Sequence, residues 1–377
     1  MRWLAFWLSV RRTIPEFFVT HNHFSPPALT ISFSTDYGYP TATRFLSRHA
    51  EGMADIAALV QGFGGVAHKQ QLVRRGARDS ELTRAVRAGE VYRIRQGWYT
   101  TRADDDPAVR AIRVGGRLTG ISAIVAAGGW ALGKFPLHVA VPRNASRLRH
   151  PGDRTRRLYL QSRNVVVHWV PTDTTDRGST TSVSLRDALA RVVLDEQLEV
   201  SVAALDWARR SGEIDAAEFD TLIQMLPQYK RSIRLWVAPE CESLPESLTR
   251  TRLRLCGHKV TPQVLTGSRQ RIDMVVDDCV AIETDGEEFH LTRFNEDRRK
   301  DITITIDGYH VLRPSARIVF YEWPRFYKAV MAALEARKSA AHRDGVRSGP
   351  RISAPMRPPP RRGHRGRAQS RVASVSR

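Results

Sequence analysis

The stretch RIDMVVDDCVAIETDGEEFH, residues 271–290, decides the fold of the C-terminal part of this 377-residue chain. Its short apolar runs predict two β-strands around a tight turn. Strands of a buried sheet normally carry apolar side chains, yet Asp273, Glu283 and Asp285 fall within these strands and His290 follows directly. These polar residues therefore need a chemical reason for their position.

The length of the hairpin loop decides whether two of these acids meet. A loop formed by residues 277–279 places Asp273 opposite Glu283 on one face of the sheet, whereas a two-residue loop places them on opposite faces. Two adjacent carboxylates repel each other, and burial increases the cost. A cation between them would relieve both effects, and a site made only of oxygen ligands favours Mg²⁺ or Mn²⁺ over zinc.

Charged residues on either side of the hairpin extend this group. The chain around Glu246 predicts a helix that either follows Pro245 or has it in the first turn. A second predicted helix runs from Asn295 to Gly308 and carries Lys300, and the strand YHVLR follows it. A third carboxylate and an ammonium group are thus available to the same site.

Together these residues resemble the very-short-patch-repair-like endonuclease domain of the PD-(D/E)XK nuclease superfamily. The resemblance runs from Glu242 to Leu334 and is carried, in order, by SLPE, RID, IETDGEEFH, an aspartate and GYHVLR. It implies an α/β restriction-endonuclease-like fold, in which helices flank a central mixed sheet. It also implies Mg²⁺-dependent hydrolysis of DNA phosphodiester bonds.

The resemblance further implies which residues act. Asp273 and Glu283 would be metal ligands, and Glu246 would be a further ligand, either direct or through water. The implied catalytic set consists of acids, one histidine and one lysine: Glu246, Asp273, Glu283, Asp285, His290 and Lys300.

One position departs from the superfamily signature, because Asp285 stands where that signature has lysine. His290 or Lys300 would then supply the missing polar or cationic group. The alternative is a nuclease fold kept as a binding scaffold, in which the acids form salt bridges.

Residues 53–101 predict a compact helix-turn-helix unit followed by two short strands around Gln96-Gly97. Apolar residues at helical spacing turn Arg84 and Arg87 outward, where basic side chains suit a DNA groove. A protein-contact module is the alternative. The segments HKQQLVRRG and VYRIRQGWY resemble the winged-helix domain of abortive-infection type IV antitoxins (AbiEi-like).

Residues 105–235 predict an α+β middle domain with the strands LHVAVP and NVVVHWVP and three amphipathic helices. We recognise no catalytic constellation in this region. His138 and His168 are predicted to be ordinary strand residues, because no matching ligand set lies nearby.

The net charge of +20 favours a polyanionic partner, nucleic acid before membrane, although solubility alone would also explain it. Residues 341–377 contain ten arginines and one aspartate, and their composition predicts a disordered tail. Residues 1–52 lack a clear period, so we expect them to be disordered or to precede a true start at Met53.

The cysteines and the lengths of the apolar runs indicate in which cellular compartment the protein is expected. Three cysteines without a CxxC pair indicate a reducing cytoplasm. No apolar run approaches the roughly 20 residues of a membrane span.

The sequence therefore predicts a bacterial α+β multidomain protein that binds DNA. The predicted parts are a winged helix, an α+β domain, a nuclease-like domain and a tail: 53–101, 105–235, 240–336 and 341–377. The predicted function is a Mg²⁺-dependent (or Mn²⁺-dependent) DNA endonuclease. The alternative is a non-catalytic antitoxin-type regulator in a toxin–antitoxin or phage-defence system, with a cognate toxin as a second partner. The sequence does not determine the oligomeric state.

Overall fold

The computed structural model describes residues 54–159, 164–285 and 294–344, which belong to one compact unit. The predictions for residues 1–52, for His290 and for the tail beyond residue 344 lie outside this part of the chain. The described residues form a mixed α/β structure with several small sheets. Among their helices, none combines the length and the apolar character that a membrane crossing needs.

The N-terminal part contains three helices and one antiparallel sheet. Asp55 and His68 cap the first two helices, since their side chains accept hydrogen bonds from the free backbone N–H groups of Ala58 and Gln70. The strands lie in the order β1-β3-β2. The elements are α1 Ile56–Gly62, β1 Val66–His68, α2 Lys69–Arg74, α3 Asp79–Arg87, β2 Tyr92–Arg95 and β3 Trp98–Thr100.

The middle part is built around a sheet whose central strand is almost fully buried. This strand, β5 (Leu137–Pro142), is a continuous apolar run apart from His138, as expected for a strand covered on both faces. It pairs antiparallel with β4 (Arg117–Leu118) and parallel with β8 (Val165–Val170), and β6 and β7 form a separate hairpin. The other elements are α4 Pro107–Val114, α5 Gly120–Ala126, β6 Arg149–His150, β7 Asp153–Arg157, α6 Thr172–Asp176, α7 Leu185–Asp195, α8 Leu198–Ser211, α9 Ala216–Met225 and a 3₁₀ helix Gln228–Trp236.

The C-terminal part has a four-stranded mixed sheet in the order β12-β11-β10-β9. Strand β12 is parallel to β11, and the other pairs are antiparallel. Pro245 lies in the first turn of α10, which decides between the two predicted alternatives for that helix. The elements are α10 Leu244–Leu255, β9 Val260–Leu265, β10 Arg271–Val276, β11 Val280–Ile282, α11 Phe294–Ile306, β12 His310–Leu312, α12 Ala316–Tyr321 and α13 Trp323–Asp344.

One boundary of the predicted tail is wrong. Helix α13 continues to Asp344, so residues 341–344 are helical rather than disordered. The sequence KSAAHRD contains alanine, lysine and arginine, which favour a helix, and nothing in it interrupts the helix that precedes it.

Helix α10 is anchored to the middle part of the molecule by polar contacts. The buried Asp206 on α8 accepts hydrogen bonds from the backbone N–H of Ala238 and from Ser247 Oγ, each at 2.6 Å. Arg252 forms a two-pronged ion pair with Glu199 at 2.6 and 3.0 Å. A helix held at several points along its length has little freedom to shift, so it places its first turn accurately beside the C-terminal sheet.

Candidate active site on the C-terminal sheet

The register of the β10–β11 hairpin brings two of the predicted acids together. Met274 lies opposite Ile282, so the loop consists of residues 277–279, which decides between the two loop lengths that the sequence left open. By continuation Asp273 lies opposite Glu283, and the backbone N–H of Asp273 donates to Glu283 Oε1 at 3.3 Å.

The loop itself explains why the longer of the two alternatives forms. Asp277 and Asp278 adopt left-handed φ angles of 46° and 60°, which aspartate tolerates better than most residues. Asp277 Oδ2 lies 2.7 Å from the ring of His258, and Asp277 Oδ1 accepts from the backbone of Lys259 at 2.9 Å. Both oxygens of Asp278 bind the Lys259 ammonium at 2.9 Å. The two residues that directly precede β9 therefore hold the loop in place.

The carboxylate of Asp273 is fixed by the residue that follows Glu283. Its Oδ2 accepts hydrogen bonds from the backbone N–H of Thr284 at 2.8 Å and from the Thr284 hydroxyl at 3.3 Å. Burial raises the pKa of Asp273 above its ordinary value, although the Thr284 hydrogen bond and the charge of Lys300 oppose the rise. The site thus orients this carboxylate while making its negative charge costly.

Glu283 is 4% exposed and lies between two cations. Lys300, from α11, donates to its Oε2, and the guanidinium of Arg313 lies 3.9 Å from the same oxygen. Burial and then repulsion by Asp273 raise the pKa of Glu283 to about 7 in spite of these neighbours. The charge of this acid is therefore only partly compensated.

Glu246 lies in the first turn of α10 and is 5% exposed. It accepts hydrogen bonds from the Ser243 hydroxyl at 2.8 Å and from the backbone of Glu242 at 2.9 Å. Burial, followed by repulsion from Asp273, raises its pKa to about 7. The charge of Asp273 thus acts on both glutamates, which makes it the common neighbour of the group.

Gln263 completes this group, and sequence reasoning missed it. It lies on β9 directly opposite Asp273, since the neighbouring pairs are Ile272 with Val264 and Met274 with Pro262. Its Nε2 donates to Glu246 Oε2 at 3.1 Å, whereas its Oε1 is buried and has no hydrogen-bond partner.

The backbone of Gln263 is strained, with a φ of 50°. Such a conformation is uncommon for a residue other than glycine, and a buried unpartnered carbonyl oxygen costs about 1–3 kcal/mol. A partner for this oxygen, such as a cation, would remove the second of these costs. A glutamine in a strand does not by itself indicate a binding site, because its role depends on which residues lie opposite it in the sheet.

Arg313 is the second residue that sequence reasoning missed. It follows β12, whose parallel pairing sets Leu312 opposite Ile282 and so brings Arg313 beside Glu283. Its guanidinium binds Asp285 at 2.8 Å and Asp301 at 2.6 and 3.2 Å. Asp285 is thus held in an ion pair. In the sequence, the arginine that ends the motif GYHVLR could have indicated a cation at this site.

Together the oxygens of the buried Glu246, Glu283 and Gln263 and of the half-buried Asp273 form a set of hard donors. Three of them are carboxylates whose pKa values are raised by burial, with mutual repulsion acting on the two glutamates. Oxygen donors of this kind are those that Mg²⁺ and Mn²⁺ prefer. The ligand atoms of the three acids do not all lie within 4.8 Å of one another, however, whereas those of His138, His168 and Asp195 do.

The predicted DNA-contacting arginines lie elsewhere. Arg84 and Arg87 are exposed on α3, where Leu82 and Ala85 face the core. Beside this helix, Arg154 of β7 donates to the backbone carbonyl of Arg93 on β2 at 2.9 Å. The exposed arginines of this area, which we call the basic surface, are Arg84, Arg87, Arg93, Arg154, Arg156 and Arg157.

The prediction that His138 and His168 have no ligand set nearby is wrong. In the structure both rings lie beside Asp195, at the end of α7. The parallel pairing of β5 with β8 brings them together, and this long-range pairing is not visible in the local sequence.

A comparison of the sequence with protein-family models and with curated proteins finds no match. The chemistry of this chain therefore has to be inferred from the geometry of its own residues.

Proposed function

We propose that the C-terminal part of this protein is an endonuclease that hydrolyses DNA phosphodiester bonds with Mg²⁺ or Mn²⁺. The observation that carries the proposal is the convergence of Glu246, Asp273 and Glu283 on one end of a mixed sheet, with the unpartnered oxygen of Gln263 among them. A purely structural group would pair its acids more completely, since each uncompensated buried charge destabilises the fold.

The metal would be held by Asp273 and Glu283, with Glu246 as a further ligand and Gln263 Oε1 as a neutral one. When bound, such an ion would lower the pKa of a water molecule and offset negative charge on the phosphate that is cleaved. The chain itself orients the ligands. Thr284 fixes one oxygen of Asp273, and Ser243 fixes one oxygen of Glu246.

Lys300 takes the role of the signature lysine that Asp285 has replaced. Its ammonium reaches Glu283 from α11 rather than from the strand, so the same pairing of carboxylate and cation is made by a different element. In this position it would bind a phosphate oxygen and stabilise the negative charge that develops during cleavage. Asp285 would act indirectly, since it holds Arg313 beside Glu283.

The N-terminal part would supply binding to duplex DNA as a winged helix. Three helices precede and flank a small antiparallel sheet, and the exposed Arg84 and Arg87 lie on the third helix. The basic surface extends from there across β2 to β7. Arginines in such an area contact phosphates without reading sequence, which suits a domain that delivers a nuclease to DNA.

A second function, a non-catalytic regulator of the antitoxin type, is favoured by one observation. The acids already have cationic partners in the chain, Lys300 for Glu283 and Arg313 for Asp285 and Asp301. Such pairs would allow the fold to persist as a scaffold that binds a promoter or a cognate toxin.

The deciding experiment compares three purified full-length proteins: the wild type, Glu283→Gln and the control Glu335→Gln, whose glutamate is exposed on α13. Each is incubated with supercoiled plasmid in Mg²⁺, in Mn²⁺ and in EDTA. The wild type and the control should cleave with metal and not with EDTA. Loss of a ligand should lower the rate of Glu283→Gln by about 10²–10³-fold or more, since the metal stabilises the transition state.

Two results would count against the nuclease. Cleavage by Glu283→Gln at the wild-type rate would remove Glu283 from the chemistry. A wild type that binds the plasmid in a gel-shift assay but never cleaves it would instead support the regulator.

A further inference from the structure

A second cluster of ligand-type side chains lies in the middle part of the molecule, and the proposed nuclease does not use it. His138 on β5 and His168 on β8 share one face of a parallel strand pair, because His168 pairs with Ala140, two residues from His138. His168 Nε2 lies 3.2 Å from His138 Nδ1. Asp195 Oδ2, from the last residue of α7, lies 3.6 Å from His168 Nε2.

The spacing of these atoms is that of metal ligands. The three residues can each offer one ligand atom such that all lie within 4.8 Å of one another. A tetrahedral zinc ion has nitrogen ligands at about 2.0–2.1 Å, which places neighbouring ligand atoms about 3.3 Å apart. The two shorter separations, 3.2 and 3.6 Å, lie on either side of that value.

The surroundings of the cluster favour a cation. Helix α7 ends at Asp195, and the carbonyl groups at the C-terminus of a helix carry partial negative charge. Glu196 adds a carboxylate 3.9 Å from His138 Nε2. Arg191 binds Asp195 Oδ1 at 3.1 Å, and Asp195 Oδ2 lies on the side of the histidines.

His138 is held in place with one ring nitrogen directed into the cluster. Its backbone N–H donates to Ser122 Oγ at 2.9 Å, and the residue is 5% exposed. Gly120, at a φ of 51°, leaves room for the ring, since a Cβ there would lie 3.1 Å from Nδ1. Glu196 beside Nε2 favours a proton on that nitrogen, so the lone pair of Nδ1 faces His168 and Asp195.

We propose that His138 Nδ1, His168 Nε2 and Asp195 Oδ2 bind one Zn²⁺ ion. Two imidazoles and one carboxylate suit zinc better than Mg²⁺ or Mn²⁺, which prefer oxygen donors alone. The fourth position is left for water. The ion would tie β5 and β8 to the end of α7, and the site is independent of the proposed nuclease.

The alternative is a metal-free hydrogen bond between two neutral histidines, which the same 3.2 Å separation allows. Burial lowers the pKa of both rings, that of His168 to about 4. Neutral rings are required in either case, because a protonated imidazole cannot bind a metal.

The test uses full-length protein that has been treated with EDTA and dialysed. Zn²⁺ affinity is measured by competition with a chromophoric chelator, and Co²⁺ is added separately to record its visible absorption, which reports tetrahedral coordination. The variants are His168→Gln, Asp195→Asn and Glu196→Gln, with His150→Gln as the matched histidine control and Asp273→Ala to separate this site from the acids.

The wild type, His150→Gln and Asp273→Ala should each bind one Zn²⁺ with the same affinity and give the same Co²⁺ spectrum. Glu196→Gln should bind Zn²⁺ about 10–100-fold more weakly, because it loses a carboxylate that orients a ligand histidine from the side away from the metal. His168→Gln and Asp195→Asn should lose more affinity than that and lose the Co²⁺ absorption.

Equal Zn²⁺ affinity in the wild type, His168→Gln and Asp195→Asn would overturn the proposal, and so would a wild type that binds no Zn²⁺. Circular dichroism identifies a variant that does not fold. If His168→Gln fails to fold, Asp195→Asn decides, because its partly exposed side chain can be changed without leaving a cavity.

Discussion

The hairpin β10–β11 and the parallel pair β5–β8 each bring polar side chains together, but they join residues that are separated by different lengths of chain. Both place ligand-type side chains in a mixed sheet or directly beside it, since Glu283 follows the last residue of β11 rather than lying within that strand as the sequence predicted. In the hairpin the partners are oxygen donors 10 residues apart, Asp273 and Glu283. In the parallel pair they are imidazoles 30 residues apart, His138 and His168.

The difference shows how the distance along the chain limits what a sequence reveals. A hairpin has few registers, because its loop is short, so counting residues reduces the meeting of two acids to a choice between two loop lengths. A parallel pair needs a crossover, and here the crossover runs from residue 143 to residue 164. Its register depends on how the intervening chain packs.

The two clusters also respond to burial in opposite directions. Burial raises the pKa of Glu283 to about 7 and lowers that of His168 to about 4. In both cases burial favours the neutral form. Neutral carboxyl groups oppose metal binding and neutral imidazoles permit it, so the acids gain more from a nearby cation than the histidines do.

The largest effect should come from the cation of the acid cluster. Lys300→Met should lower plasmid cleavage by about 10²–10³-fold, because the ammonium stabilises the charge that develops on the phosphate. Calorimetry should still detect Mn²⁺, since the ligands remain. The control Lys328→Met, at an exposed position of α13, should keep full activity, and so should Arg191→Met beside the histidines. Wild-type cleavage by Lys300→Met would remove this lysine from the mechanism.

A smaller effect concerns the pH dependence of stability in EDTA. For Glu283 the pKa rises from 4.5 to about 7 on folding, so the folded state holds the extra proton and stability falls as the pH rises through that window. For His168 the pKa falls from 6.5 to about 4, so the unfolded state holds the proton and stability falls as the pH drops from 6.5.

Glu283→Gln and His168→Gln should therefore each remove one contribution to the change of unfolding free energy with pH. The two contributions have opposite signs, and each is at most about 1.4 kcal/mol per pH unit. Relative to the wild type, Glu283→Gln should gain stability towards pH 7.5, and His168→Gln should gain it towards pH 4.5. Urea denaturation at four pH values measures both, with Glu335→Gln as the control. Parallel pH profiles for all four proteins would contradict the opposite effects of burial on the two clusters.

The smallest expected effect concerns the basic surface. Its measurement tests whether this surface, rather than either cluster, provides general affinity for DNA. Replacing Arg84 and Arg87 by alanine in the full-length protein should reduce the slope of log affinity against log salt by about one unit for each phosphate that is no longer neutralised. Fluorescence anisotropy with a duplex at several salt concentrations measures the slope. The control Arg325→Ala with Lys328→Ala removes the same charge from α13. An equal change in that control would show that total charge, not position, sets the affinity.

Part of the acid cluster could be predicted because its determinants are local. The loop of residues 277–279 sets Asp273 against Glu283, and helical spacing places Lys300 on a helix that follows. Gln263 and Arg313 could not be found in this way. Gln263 acquires its role from the strand across the sheet, and Arg313 from a parallel strand after a helical crossover.

By itself the sequence determined that β10 and β11 form a hairpin, reduced its register to two alternatives and placed acidic residues along it. Each of these depends on neighbours within about ten residues, where periodicity and loop length leave few alternatives. Only the tertiary structure decided that Gln263 Oε1 lacks a partner, that Arg313 holds Asp285, and that His138, His168 and Asp195 meet. These contacts join distant segments, and packing of the whole core selects them, because no local rule distinguishes one long-range pairing from another.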